Sequence, residues 1–143
     1  MIIYAEASAV VSWLLDEGGA PSVAFEMNRA TRVVTSTLTS LECVQALRRA
    51  RAAGRVTAAG EITFLRELDT SEQSWSAYDI TQDVIERAKT PVGDLLLRTL
   101  DAIHVATCSL IADTVGPVAM LSLDRRVRES AQAAGFSVLP PDL

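Results

Sequence analysis

A chain of 143 residues with 18 acidic and 13 basic side chains carries a net charge of −5, which argues against a protein that captures polyanions through bulk positive charge. Nucleic acid is not thereby excluded, because clustered carboxylates can hold a metal ion whose own charge reaches phosphates. The length suits a single domain over 1–143 that buries roughly two thirds of the surface its unfolded chain exposes, and Cys43 and Cys108, far apart in apolar sequence with no CxxC spacing, read as reduced core thiols of a cytosolic protein.

The N-terminal run MIIYA predicts a buried strand over 2–6 that ends on a carboxylate, Glu6. No basic segment precedes this run and Glu6 interrupts it, so a signal peptide is not expected. No later stretch approaches the ~18 apolar residues of a membrane span, and the expectation is a soluble, cytoplasmic protein without membrane contact. Helices are predicted from Ser8 to Leu15 and from Ser22 to Asn28, then a strand RVVTS over 32–36, then a long helix from Leu38 to Ala53 stopped by Gly54. Residues 57–68 read as a further helix despite Gly60, and 75–80 (WSAYDI) as a strand, after which Thr81 caps a helix beginning TQDVIERAK. TLDAIHVATCSLIAD, 99–113, is apolar on nearly every side and predicts a central helix. PVAMLSL predicts a strand, DRRVRESAQAAG a helix capped by Asp124 and stopped by Gly135, and FSVLPP a last short strand. Strands alternating with helices of this length imply a three-layer α/β/α fold with a mainly parallel sheet, since parallel neighbours require a crossover.

Among the acidic residues, Glu6, Glu42, Asp101 and Asp124 stand beside apolar sequence or at strand ends. Glu6 and Asp124 close strands at the carboxyl edge of the sheet, where open α/β sheets hold ligands, and Glu42 and Asp101 lie near the starts of helices that rise from that edge. Each also has a purely structural reading. Thr39 to Glu42 fits a capping box, Asp101 and Asp124 fit helix N-caps, and Glu6 fits an ion pair with an arginine. A divalent-metal site accounts for all four together, and a shallow carboxylate crevice without histidine or thiolate suits a hard cation such as Mg²⁺.

Other chemistries find little support. No GxSxG elbow, P-loop, GxGxxG or HExxH is present, and His104, the only histidine, reads as a core group or as a neighbour of the ligands. A receiver-like domain would need a lysine near the end of its last strand, and Lys89 is the only lysine. Arg48, Arg49, Arg51 and Arg55 follow Glu42, and Arg125, Arg126 and Arg128 follow Asp124. Such runs are usually solvated faces, but these begin close enough to the acids to flank a crevice and hold a phosphate backbone.

Four segments together resemble the PIN-domain nucleases, and within them the VapC-like toxins of bacterial toxin–antitoxin pairs. IYAEASAVV resembles the first-strand motif, with Ser8 two residues after the acid. STLTSLECVQAL resembles the segment bearing the second acid, Glu42. LRTLDAIHVATC, the most specific match, resembles the central helix carrying Asp101, and SLDRRVRESAQAAGFSVLPP the C-terminal segment, with Asp124 preceded by Ser122. The resemblance spans nearly the whole chain. It implies a Mg²⁺- or Mn²⁺-dependent endoribonuclease acting on structured RNA such as tRNA or rRNA, a homodimer, and a cognate antitoxin lying over the site. It further implies metal binding by Glu6, Glu42, Asp101 and Asp124, with Ser8 and Ser122 orienting them, and RNA contacts from Arg98, Arg48 and Arg125. One position departs from the family pattern, which has aspartate where this chain has Glu6. The extra methylene shifts the carboxylate by about 1 Å at a site where Mg²⁺ demands near-ideal geometry, so a binding module with weak or no cleavage is the alternative expectation.

Overall fold

The computed structural model describes residues 1–143. Strand β1 (Ile2–Ala5) lies at the centre of a five-stranded sheet, paired in parallel with β2 (Arg32–Ser36) on one side and β4 (Val118–Leu121) on the other. Strand β3 (Ser76–Tyr78) extends the sheet beyond β2, and β5 (Val138–Leu139) extends it beyond β4, both again parallel. Each crossover carries helices: α1 (Ala7–Leu15) and α2 (Ala20–Arg29), α3 (Thr37–Ala52) and α4 (Ala58–Glu72), α5 (Gln82–Ala88) and α6 (Thr99–Val115), and finally α7 (Arg125–Ala133).

Alternation along the strands divides the core. Ile3 and Leu121 pack with Ala9 and Val23, and Ala5 with Val10, Cys43 and Leu68, so α1 to α4 cover one face. Tyr4, Val34 and Met120 point the other way, against Cys108 and Ile111 of α6 and Val127 of α7. The result is the three-layer α/β/α arrangement with an entirely parallel sheet, in which the apolar helix over 99–115 is indeed central.

The elements keep the expected order, with shifts at their ends that have local causes. Strand β1 stops at Ala5 because Glu6 already serves as the N-cap of α1. Helix α3 starts at Thr37, capped by Ser36, whose side chain accepts from the Leu38 amide. The capping box expected at Thr39 to Glu42 is therefore absent, and Thr39 instead directs its hydroxyl toward the Ala5 carbonyl. Helix α4 runs on to Glu72, past the expected end at 68, since no glycine or proline intervenes. Asp101 is not an N-cap either: it lies in the first turn of α6, and Arg98 holds the cap position without a capping side-chain bond. Asp124 does cap α7, and Thr81 caps α5. No helix is long and apolar enough to cross a membrane.

From β1 the chain proceeds to β2 and β3 on one side, then returns to place β4 on the other side of β1. The switch point therefore lies between the carboxyl ends of β1 and β4, where Glu6 and Ser122 emerge.

Candidate active site

Glu6 is 4 % exposed. Its Oε2 accepts hydrogen bonds from the Ser8 amide at 3.1 Å, from the Ser8 hydroxyl, and from the Ser122 hydroxyl at 2.7 Å. Ser8 Oγ in turn accepts from the amides of Leu123 at 2.9 Å and Asp124 at 3.0 Å, which ties the end of β1 to the turn after β4. Glutamate is an uncommon N-cap, a position that favours Ser, Thr, Asp and Asn, and here its longer side chain folds back to reach the Ser8 amide. No bond reaches Oε1, and no arginine pairs with the group, contrary to the ion-pair reading. Burial raises its carboxyl above the usual range, and the nearby imidazole and hydroxyl donors offset this only in part.

Glu42 enters from α3. Its Oε1 meets Nε2 of His104, which is 1 % exposed, and the other imidazole nitrogen, Nδ1, meets the Tyr4 hydroxyl at 2.8 Å. A carboxylate can only accept, so Nε2–H donates to it, and a neutral ring then leaves Nδ1 to accept the phenolic proton. Burial pushes the Tyr4 phenol well up, which keeps that proton on the oxygen. The chain Tyr4, His104, Glu42 thus runs from the core to the crevice and fixes one carboxylate oxygen, leaving Oε2 without a hydrogen bond.

Asp101 and Asp124 are joined through Arg98. Arg98 Nε donates to Asp101 Oδ2 at 2.7 Å and Nη2 to Asp101 Oδ1 at 3.2 Å, while Nη2 also reaches Asp124 Oδ2 at 3.3 Å. Asp124 Oδ1 is occupied by the amides of Arg126 and Val127.

The four acids named from the sequence therefore fall into two sets. Glu6 and Glu42 come together with His104, one donor atom from each lying within 4.8 Å of the others. Asp101 and Asp124 form the second set, linked to the first by the Ser8 and Ser122 hydroxyls and by α6, where Asp101 and His104 are one turn apart. Sequence reasoning missed Tyr4, whose side chain alternation along β1 places on the Glu6 face, and it assigned Arg98 to RNA although the spacing of three to Asp101 already favoured a helical ion pair. Of the basic run that follows Glu42, Arg51 on α3 pairs with Glu61, and Arg55, beyond its end, with Glu17. Arg48 lies about 120° around the helix from Glu42, whereas Arg49, seven residues on, shares its face. After Asp124, Arg125 pairs with Glu129 and Arg128 donates to three backbone carbonyls, which leaves the Arg126 guanidinium without an ionic partner.

The donor set fits a hard divalent cation. Two carboxylate oxygens, Glu6 Oε1 and Glu42 Oε2, carry no hydrogen bond, and the remaining positions around such an ion are ordinarily filled by water. His104 does not fit as a ligand, because both of its nitrogens are engaged. A cavity of about 560 Å³ between α1 and α4 lies elsewhere and holds a single acid, Glu67, so its size does not mark it as the reactive site.

The three-layer fold around this parallel sheet is PIN-like. The PIN domain family model matches residues 3–133, and the chain belongs to that family. Among curated proteins it is similar to Ribonuclease VapC35 of two Mycobacterium tuberculosis strains, CDC 1551 and H37Rv, each 29 % identical over 142 residues covering 98 % of this chain and 97 % of the relative. Among solved structures it resembles a toxin–antitoxin complex from Klebsiella pneumoniae, with a TM-score of 0.68, 13 % identity and 97 % of both chains covered. It also resembles PAE2754 from Pyrobaculum aerophilum, with a TM-score of 0.58, 18 % identity, and 96 % of this chain and 83 % of that one covered.

Proposed function

We propose that the protein is a divalent-metal-dependent endoribonuclease and the toxin of a toxin–antitoxin pair. The observation that carries this reading is the pair of unbonded oxygens, Glu6 Oε1 and Glu42 Oε2, on acidic groups held together at the switch point of a PIN fold with no arginine or lysine against them. Glu6 and Glu42 hold the ion, Mg²⁺ or Mn²⁺, with Asp101 and Asp124 completing the set directly, through water or at a second ion. When bound, the ion neutralises charge on the phosphate and lowers the pKa of a coordinated water. Ser8 and Ser122 fix the Glu6 carboxylate, and His104 fixes that of Glu42. Arg49 and Arg126, exposed and without ionic partners, are placed to bind the RNA backbone.

The curated relative, a ribonuclease by name, supports RNA as substrate, and the structural neighbour, a toxin–antitoxin complex, supports an antitoxin partner; tRNA or rRNA is the class we propose. Exposed Leu41, Leu96 and Leu100, beside Glu42 and Asp101 in sequence, give such a partner or a second subunit an apolar rim to cover. A cytoplasmic homodimer follows the same reading. The competing reading is an RNA- or antitoxin-binding module that cuts poorly, favoured by the three bonds that draw Glu6 Oε2 toward Ser8 and Ser122. Incubation of purified protein with tRNA and rRNA in Mg²⁺ or Mn²⁺ decides between them. Cleavage that is lost in Asp101→Asn and Glu42→Gln, with the circular dichroism spectrum retained, supports the nuclease. Binding of RNA without cleavage in either metal overturns it in favour of the module.

A further inference from the structure

The Arg98 guanidinium occupies both oxygens of Asp101 and one of Asp124. With Asp124 Oδ1 taken by two amides, every oxygen of the second acidic set already accepts a hydrogen bond. Resting on the nuclease reading, we propose that Arg98 is an internal counter-ion that competes with the divalent cation for Asp101 and Asp124, and must leave them before all four acids can serve the metal.

Three observations carry this. Asp101 is 6 % exposed, and a buried carboxylate without a cation is costly, so the metal-free fold needs a substitute charge there. Arg98 supplies it in the two-pronged geometry that matches a carboxylate best. Its own side chain is 49 % exposed and opens on a cavity of about 220 Å³ that Asp101 and Arg126 also line, so the guanidinium can depart toward solvent or a phosphate without disturbing the core. The first set, by contrast, already has free oxygens and no arginine. An incoming ion therefore finds Glu6 and Glu42 available and must displace Arg98 to gain the rest.

Isothermal titration of the metal-free protein with Mn²⁺ tests the idea. Arg98→Met removes the competing donors and is expected to tighten Mn²⁺ binding at least tenfold, and Arg98→Lys, which keeps the charge but loses the fork, to fall between it and the wild type. Arg126→Met removes a charge from the same cavity without freeing a carboxylate and is expected to shift the affinity less than threefold. In an Asp101→Asn background the gain from Arg98→Met is expected to collapse below threefold. Arg98→Met binding Mn²⁺ no more tightly than the wild type, or Arg126→Met gaining as much, overturns the counter-ion while the nuclease stands if RNA is still cut. Absence of both Mn²⁺ binding and cleavage in wild type and Arg98→Met overturns the nuclease reading and the counter-ion with it.

Discussion

His104→Ala separates the two roles that the buried imidazole combines. The ring is 1 % exposed and bonded at both nitrogens, to the Tyr4 hydroxyl at 2.8 Å and to the Glu42 carboxylate. Truncation removes a close-packed side chain, at about 2–3 kcal/mol by comparison with other large-to-alanine changes. It also takes a partner from a buried phenol, at about 1–2 kcal/mol. The sum, about 4 kcal/mol, corresponds to a fall of about 12 °C in Tm for a chain of this size, measurable by urea titration and thermal melting followed by circular dichroism. Glu42 at the same time loses the donor that fixes its carboxylate, and orienting groups of this kind are worth about 10–100-fold in metal affinity. Tyr4→Phe provides the contrast: it removes only the core end of the chain, away from Glu42, so stability is expected to fall by about 1–2 kcal/mol while Mn²⁺ affinity changes little. A loss below about 1 kcal/mol in His104→Ala would refute the hydrogen-bonded chain, and full destabilisation with unchanged Mn²⁺ affinity would refute its part in positioning Glu42.

Glu6 gives a pH-dependent expectation. Its folded-state pKa lies above the ordinary 4.5, so ionisation costs more in the folded than in the unfolded chain, a penalty absent below that value and complete once the pH has passed the folded pKa. Glu6→Gln is therefore expected to raise the Tm of the metal-free protein at pH 7, with the difference closing as the pH falls toward 4.5, and to abolish stabilisation by Mn²⁺; a lower Tm at pH 7 would contradict this. Glu6→Asp keeps a preferred N-cap and restores the family's carboxylate length, and is expected to tighten Mn²⁺ binding or raise the cleavage rate, which an unchanged or weaker variant would disprove. Arg128 donates to the carbonyls of Ser122, Leu139 and Pro140, so Arg128→Met is expected to cost about 2 kcal/mol and to speed amide exchange over β5 before the rest of the sheet. Burial pushes the Cys108 thiol up to about 12 and raises that of Cys43 further, so an aromatic disulfide reagent at pH 8 is expected to label neither until the chain is unfolded.

The fold could be read from the sequence because its main signals are local. Apolar runs ending at Glu6 and Ser122, and the largely apolar helix around His104, specify buried parallel strands and a central helix without long-range information. Element ends were less legible, since caps depend on which of several hydroxyl residues the tertiary structure recruits: Ser36 takes the role that Thr39 offered, because β2 carries Ser36 to the start of α3 while Thr39 faces β1. The acids were legible as candidates, Glu6 and Asp124 through their positions after strands and Glu42 and Asp101 through their positions near helix starts. Their division into two sets was not, because it depends on side chains that meet across the sheet. Tyr4 and His104 are 100 residues apart, Glu42 and His104 are 62 apart, and nothing in either neighbourhood signals the other.

That division is an electrostatic asymmetry with a functional consequence. Asp101 and Glu6 are buried almost equally, yet one is paired with a guanidinium and the other has only hydroxyl and amide donors with an imidazole nearby. A fold selected for stability alone would pair or replace the second, since an uncompensated buried carboxylate lowers the stability of the metal-free state. The hydroxyls of Ser8 and Ser122 do not remove that cost, but all three donors converge on Oε2, which leaves Oε1 as the oxygen with the least competition for a cation. Filling that position with a divalent ion converts a destabilising charge into a ligand, so the free energy withheld in the metal-free fold is returned on binding, and Glu6 is where the ion's arrival should stabilise the protein most.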